Sequence, residues 1–422
     1  MDQESTGEAA RQQIEKLRAV LDISCQMAAA SELQPLLEMI IESARKVLEC
    51  ELASVFLYER RTNELCSRVF TGAPEVRFPA DKGLAGEAFR TVRIINIPDA
   101  YEDSRFNREI DKKTGFITRS ILSCPLQGWN HLPLGVLQAV NKRGGPFDKW
   151  DEELVRTFSA QAGVAVQRQL LLEQYADKKR IERELDIARN IQQALLPKRP
   201  PSPAGFELAG WNQPADQTGG DFYDFEVLSD GAVAITVADA TGHGLGPALV
   251  AAQCRALIRA SLSQTQELER LVPSVNRLLC EDLPEDIFVT MFLGLLLPGT
   301  DRVRFLSAGH GPILFFEWAT GEIREMEAQG CPLGIGPKLT YDAPVDLDFQ
   351  SGDLLMVLTD GFNEWPRADK EQFGMERLFE CIRRYHTLPP AEIIRNIHHD
   401  VLAFAGGAPQ NDDLTAVVVK KK

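Results

Sequence analysis

The sequence predicts an α+β protein: an N-terminal sheet with helices, a long helical connector, and a C-terminal β-sandwich flanked by helices. Three observations carry this. Short β-branched or aromatic runs separated by turn residues recur between residues 52 and 140, as strands do. Residues 150–196 hold no proline and a single glycine, Gly163, and so read as helix. Beyond residue 204 many strand-like runs alternate with a few helical ones, which suits two sheets packed together and covered by helices. At 422 residues the chain is long for one domain.

Taken in order, "EAARQQIEKLRAVLDISCQMAAA" carries Ile14, Leu17, Leu21 and Met27 at helical spacing, and Ser31 can cap a second helix running to Val47. The strand runs follow as "LASVFLY", "ELCSRVF", "RIINIPD", "SILSCPL" and "LGVLQAV", with "KGLAGEAFR" as a short helix between two of them. The expected divisions are a sensor-sized domain over 15–168, a connector helix over 169–196 and a second α/β domain over 204–420. In the connector, Ile181, Leu185, Ala188, Gln192 and Leu195 recur at alternating spacings of four and three, with Leu171 upstream. That pattern is a coiled-coil seam with a polar interruption, from which a homodimer follows; a single amphipathic helix lying on its own domain gives the same pattern. Four prolines in "PKRPPSPAG" end the helix. Strands are then expected at "FELAGWNQ", "DFYDFEV", "AVAITVAD", "FVTMFLGLLL", "VRFLSAG", "PILFFEW", "LLMVLTD" and "TAVVVKK", and helices at "GPALVAAQCRALIRASL", "ELERLVPSVNRLLCEDL" and "PAEIIRNIHHDVLAFA".

Hydrophobic residues make up 44% and charged residues 25% of the chain, an ordinary globular balance. The formal charge of −15 argues against nucleic acid or an anionic membrane as the main partner, because both repel it. The start of the chain lacks the apolar run of a signal peptide, and "FVTMFLGLLLP" is too short to span a bilayer. Eight cysteines without a CxxC pair read as reduced packing residues, so the cytoplasm is the expected compartment.

The stretch "QTGGDFYDFE" places Asp221 and Asp224 just after two glycines, with no lysine or arginine nearby. A surface turn and a metal ligand both explain it. Three further segments favour the metal. "AVAITVADATGHG" brings Asp239 to the end of an apolar strand, "GDLLMVLTDGFNE" does the same for Asp360, and "QNDDLTAVVVKK" sets Asp412 and Asp413 before the last strand. Converging carboxylates repel unless cations sit between them. Oxygen ligands favour Mg²⁺ or Mn²⁺, and no His/Cys cluster competes for a softer metal. Two such ions can lower the pKa of a shared water and clamp a phosphoryl group, and no GxSxG elbow or Cys–His signature offers a protein nucleophile.

"GGDFYD", "VADATGHG", "SAGHGPIL", "GCPLGIG", "LTDGFNE" and "NDDLT" occur in the order and spacing of the SpoIIE/RsbU-type serine phosphatases, the bacterial branch of the metal-dependent type 2C protein phosphatases. The resemblance runs from about residue 185 to 420. It implies a type 2C-like sandwich with two Mn²⁺ or Mg²⁺ ions at one rim, Asp221 and Asp239 bridging them, the Ala240 carbonyl as a further ligand, and Asp360 and Asp412 completing the second ion. Asp413 occupies a position that often holds asparagine in the wider group, and Ala240 stands where glycine is common. His243, in a glycine-flanked turn, orients substrate, protonates the serine leaving group, or bonds the backbone as a turn histidine. His310 reads as structural. The resemblance further implies a phosphoserine or phosphothreonine substrate on a STAS-type anti-sigma-factor antagonist, and a switch that includes the helix "ERELDIARNIQQALLP".

The first domain resembles a GAF domain over residues 15–170. Asn141, Lys142, Phe147 and Asp151 match the NK…F…DE pattern of cyclic-nucleotide-binding GAF domains, which implies a cyclic nucleotide or another small effector; the same residues can equally be a fold-stabilising clasp. An enzyme is the leading reading, and a phosphoprotein-binding scaffold with an inactive phosphatase fold is the alternative.

Overall fold

The computed structural model describes residues 2–67, 76–106, 108, 111 and 116–422, with side chains from Ile14 onward. The chain divides into two compact units, Met1–Lys179 and Arg180–Lys422.

In the first unit two helices, α1 (Asp2–Ala29) and α2 (Leu33–Val47), precede a sheet. Its described strands are β1 (Cys50–Glu59), β2 (Glu64–Ser67), β3 (Arg77–Pro79), β4 (Ile95–Ile97), β5 (Ile121–Gln127) and β6 (Pro133–Lys142), ordered β3-β2-β1-β6-β5-β4. Part of the predicted "ELCSRVF" strand, residues 68–70, lies outside the described residues. Alternation along β1 decides what covers each face. Ala53, Val55 and Leu57 join α2 and the start of α4 (Lys149–Leu195) in one core, while Phe56 packs on the other face with Ala85 and Ala88 of α3 (Gly83–Thr91). Two expectations need correction. Glu32, not Ser31, holds the cap position of α2, in extended backbone and without a side-chain cap bond. The apolar stripe of α1 is split: Val20 and Met27 are buried, while Ile14, Leu17 and Leu21 are exposed.

The second unit is a sandwich. One sheet is ordered β14-β11-β10-β9-β8 and the other β13-β12-β15-β16-β7. The strands of the first are β8 (Asp221–Val227), β9 (Val233–Ala240), β10 (Val289–Leu296), β11 (Arg302–Ala308) and β14 (Val345–Asp348). Those of the second are β7 (Phe206–Gln213), β12 (Ile313–Glu317), β13 (Glu322–Glu325), β15 (Leu354–Leu358) and β16 (Leu414–Lys421). Helices α5 (Leu245–Leu262) and α6 (Leu268–Asp282) cover the first sheet. The short α7 (Gly361–Glu364), α8 (Gly374–Tyr385) and α9 (Pro390–Ala405) cover the second.

Period-two alternation builds the interior between the sheets. Tyr223 and Phe225 of β8, Ile235 and Val237 of β9, Leu355 and Val357 of β15, Val417 and Val419 of β16, and Phe206 and Leu208 of β7 form one apolar layer. Following the same faces to one end of the sandwich reaches Asp221, Asp239, Thr359, Thr415 and Asn212 in place of hydrocarbon. The polar end of this core is where the candidate site lies.

Candidate functional site

Asp221 and Asp239 stand directly opposite each other on β8 and β9. Asp360 follows β15, and Asp412 and Asp413 precede β16. The structure thus brings together the strand-end carboxylates that the sequence scatters over nearly half the chain.

Their electrostatics are those of a site short of positive charge. Burial, and then Asp239 and Asp413, drive Asp221 well above the usual carboxylate range. Burial followed by Asp360 raises Asp239 to about 7, and burial followed by Asp412 raises Asp360 to about 6. The strongest charges acting on all three are other carboxylates, so among the described residues no cation of the chain leads the balance of charge at the cluster. The hard oxygen donors and their mutual repulsion fit a pair of divalent ions. Among the described residues, three acidic or thiol groups whose ligand atoms lie within 4.8 Å of one another are Glu59, Glu64 and Cys66, in the first unit. There Arg77 stands 2.7 Å from Glu59 and 3.6 Å from Glu64 and supplies the positive charge.

Two glycines let the loop before β8 approach closely. A Cβ on Gly219 would stand 2.1 Å from the Asp413 carboxylate, and one on Gly220 2.3 Å from the Ala240 carbonyl oxygen. The Asp413 carboxylate is itself committed to this loop. Ala215 N–H donates to Oδ1 at 2.7 Å and Asp221 N–H to Oδ2 at 3.2 Å, with Gly220 N–H a further donor. Asp413 therefore braces the ligand loop, whereas the exposed Asp412 faces Asp360 and Asp239.

Asp224 is elsewhere. Three residues along a strand reverse the face, and Asp224 turns toward α5, where Arg259 holds it at 2.6 and 2.8 Å and Arg255 stands 3.1 Å away. The arginines that answer it lie in a helix thirty-odd residues downstream, out of reach of a local reading.

His243 is exposed in the turn between β9 and α5, its Nδ1 2.6 Å from Asp216 Oδ2. His310 is buried, with Nδ1 2.9 Å from Thr290 Oγ1, and burial lowers its pKa to about 4. It is a neutral packing group.

Gln192, the polar interruption of the connector pattern, has a specific contact. Its Nε2 donates to Gly219 O at 2.6 Å, and Gly219 N–H donates back to Oε1 at 3.2 Å. The last turns of α4 are thereby bonded to the loop that carries Asp221. Along this stretch Leu185, Ala188, Gln192 and Leu195 are half-buried in the single chain, while Ile181, Ile187 and Ile191 are exposed.

In the first unit the four GAF-motif residues have separate partners, Lys142 and Asp151 alone pairing with each other. Asn141 Oδ1 accepts from Arg119 N–H at 2.6 Å, and its Nδ2 donates to Ile117 O at 2.8 Å and Glu51 at 2.7 Å. Lys142 pairs with Asp151 and, at 3.3 Å, with Asp148, while Phe147 is core. None of the four lines the cavity of about 470 Å³ on the opposite side of the sheet, which is bounded by Phe56, Phe78, Lys82, Leu84, Arg105, Phe106 and Gln138 among others. The first turn of α3 opens onto it without a side-chain cap.

Comparison with known proteins agrees with both halves. Residues 229–422 match the family model described as Stage II sporulation protein E (SpoIIE), and residues 32–166 match the GAF domain model. The chain is 26% identical over 246 residues to the phosphoserine phosphatase RsbU of Bacillus subtilis, covering 57% of this chain and 71% of that protein. It is 31% identical over 166 residues to a probable 3′,5′-cyclic phosphodiesterase, pde-5, of Caenorhabditis elegans, covering 36% of this chain but 22% of that one. Among solved structures, the SiaA type 2C phosphatase domain of Pseudomonas aeruginosa superposes with a TM-score of 0.52 at 23% identity, over 58% of this chain and 99% of that one. Residues 229–422 therefore form a phosphatase domain of the SpoIIE type, and residues 32–166 ahead of them a GAF domain.

Proposed function

We propose that the protein removes phosphate from a phosphoserine or phosphothreonine on a small signalling protein, a STAS-type anti-sigma-factor antagonist, under control of an effector in the GAF domain. The observation that carries the chemistry is the convergence of Asp221, Asp239, Asp360 and Asp412, three of them with raised pKa values and only carboxylates as their strongest charged neighbours. Asp221, Asp239, the Ala240 carbonyl, Asp360 and Asp412 would hold two Mn²⁺ or Mg²⁺ ions, with Asp413 holding the loop. Such ions supply the Lewis acidity that in-line attack on a phosphoryl group needs. His243, steadied by Asp216, would serve as the proton donor to the departing serine oxygen.

Control is supported by the bond between Gln192 and Gly219, because the same helix leaves the GAF domain and ends on the ligand loop. An effector that shifts the register or order of that helix acts directly on Asp221. The cavity bounded by Phe56, Phe106, Lys82 and Arg105 suits a planar, negatively charged effector such as a cyclic nucleotide, and the likeness to cyclic phosphodiesterases supports the same class. Exposed Leu171, Leu172, Tyr175, Ile181, Ile187 and Ile191 support a homodimer along α4. Among the described residues no helix is long and apolar enough to cross a membrane. All eight cysteines are free, which supports the cytoplasm.

The test is hydrolysis of p-nitrophenyl phosphate and of a phosphoserine STAS-domain protein by the full chain with Mn²⁺. Turnover lost in Asp239→Asn supports the enzyme; metal uptake without turnover of either substrate supports the scaffold.

A further inference from the structure

Asp221 has one oxygen already filled. Thr359 Oγ1 stands 2.8 Å and Thr415 Oγ1 2.7 Å from the same atom, Asp221 Oδ2. A hydroxyl has one proton to give, and here the acceptor side of each is occupied. The Thr415 backbone N–H donates to Thr359 Oγ1 at 2.9 Å, and Asn212 Nδ2 donates to Thr415 Oγ1 at 2.8 Å. The Thr415 proton is therefore aimed at Oδ2, and so is that of Thr359, whose other acceptor, Asp413 O, lies farther off at 3.4 Å. Asp221, Thr359 and Thr415 are 3%, 2% and 0% exposed, so water offers neither hydroxyl another acceptor. Asn212 lies on β7 and Thr415 on β16, and Thr359 directly follows β15, three strands of the sheet opposite the one that carries Asp221.

We infer that Thr359 and Thr415, oriented by Asn212, compel Asp221 to offer a cation its Oδ1 alone, and that this selects Mn²⁺ and Mg²⁺ over Ca²⁺. A carboxylate oxygen has about two lone-pair sites, and two donors take both on Oδ2. Gripping an ion with both oxygens would strand two buried hydroxyl protons. Small divalent ions accept single oxygens in octahedral array, whereas Ca²⁺ reaches its larger coordination number partly through carboxylates that bind with both oxygens. The hydroxyl pair thus works against Ca²⁺ without touching any ion. The inference rests on the metal reading of this site proposed above.

The experiment is a Mn²⁺ titration of the full chain followed by the electron paramagnetic resonance of free Mn²⁺, then displacement by Ca²⁺. It compares the parent with Thr359→Val, Thr415→Val, Thr415→Ser and Asn212→Ala. The expected result is a shift of the Mn²⁺/Ca²⁺ preference toward Ca²⁺ of about tenfold or more in each valine variant, with Thr415→Ser close to the parent. Asn212→Ala, which leaves both hydroxyls in place but frees Thr415 to turn, is expected to shift in the same direction by less. It serves as the readout if the valine variants do not fold. A parent that binds Mn²⁺, with folded variants of unchanged preference, overturns the inference alone. A parent that binds no Mn²⁺ overturns the metal reading and this inference with it.

Discussion

Replacing Asp239 by asparagine should stabilise the metal-free protein while abolishing its activity. In the folded chain burial, and then Asp360, raise the Asp239 carboxyl from an ordinary 3.8 to about 7. Unfolded, it ionises near 3.8. Between those values the native state holds a proton that the unfolded state has lost, so stability falls as pH rises. The contribution is intact below about pH 4 and has been lost by about pH 7. The difference corresponds to about 4 kcal/mol, and Asp360, raised to about 6, adds a smaller loss of the same sign. Asparagine has no charge to bury but forfeits the contact with Asp221, worth about 1 kcal/mol. A net gain of about 2–3 kcal/mol is therefore expected at pH 8 in EDTA, with little or none at pH 4. Urea denaturation of the full-length parent and variant at both pH values measures it, following the transition of the second unit. Added Mn²⁺ should stabilise the parent at pH 8 and leave the variant unchanged, and p-nitrophenyl phosphate hydrolysis should disappear in the variant. A variant less stable than the parent at pH 8 without metal, or one still stabilised by Mn²⁺, would refute the reasoning.

Three further outcomes are expected. Gln192→Ala removes both bonds to Gly219, about 1–2 kcal/mol of ordering, and should lower kcat/KM for p-nitrophenyl phosphate roughly five- to thirty-fold with little change in Tm; steady-state kinetics beside a melting curve decide it. Arg259→Ala strips the two-bond partner from the buried Asp224 and should destabilise the second unit by about 3 kcal/mol, seen in urea, while Mn²⁺ affinity stays near that of the parent. Lys142→Met leaves the Asp151 carboxylate, 1% exposed, without its cation. It should lower the transition of the first unit by about 3 kcal/mol and leave binding of a fluorescent cyclic nucleotide at the cavity unimpaired, because Lys142 does not line it.

The strands that form the sandwich interior were legible because each carries enough valine, leucine, isoleucine or phenylalanine to stand out locally. The edge strands β13, "EIRE", and β14, "VDLD", were not, because an edge faces solvent and needs little hydrocarbon. Helix α8 is hard to read from the sequence although Leu378, Cys381 and Ile382 recur at helical spacing, since a single buried stripe leaves most of such a helix polar. Ser31 suits a cap by residue type, but the backbone is still extended at Glu32 and turns helical at Leu33.

The sequence by itself determined the chemistry. The type of donor, its placement at strand ends beside glycine and the lack of a protein nucleophile follow from local pattern. Tertiary structure decided which carboxylates have oxygens to spare. Asp224 is spent on Arg259, Asp413 on the backbone N–H groups of Ala215, Gly220 and Asp221, and one oxygen of Asp221 on Thr359 and Thr415. In each case the partner lies on a different strand, helix or loop, often well over a hundred residues away in sequence. Only the packing of one sheet on the other makes those residues neighbours, and a hydrogen bond acts over about 3 Å whatever the separation along the chain.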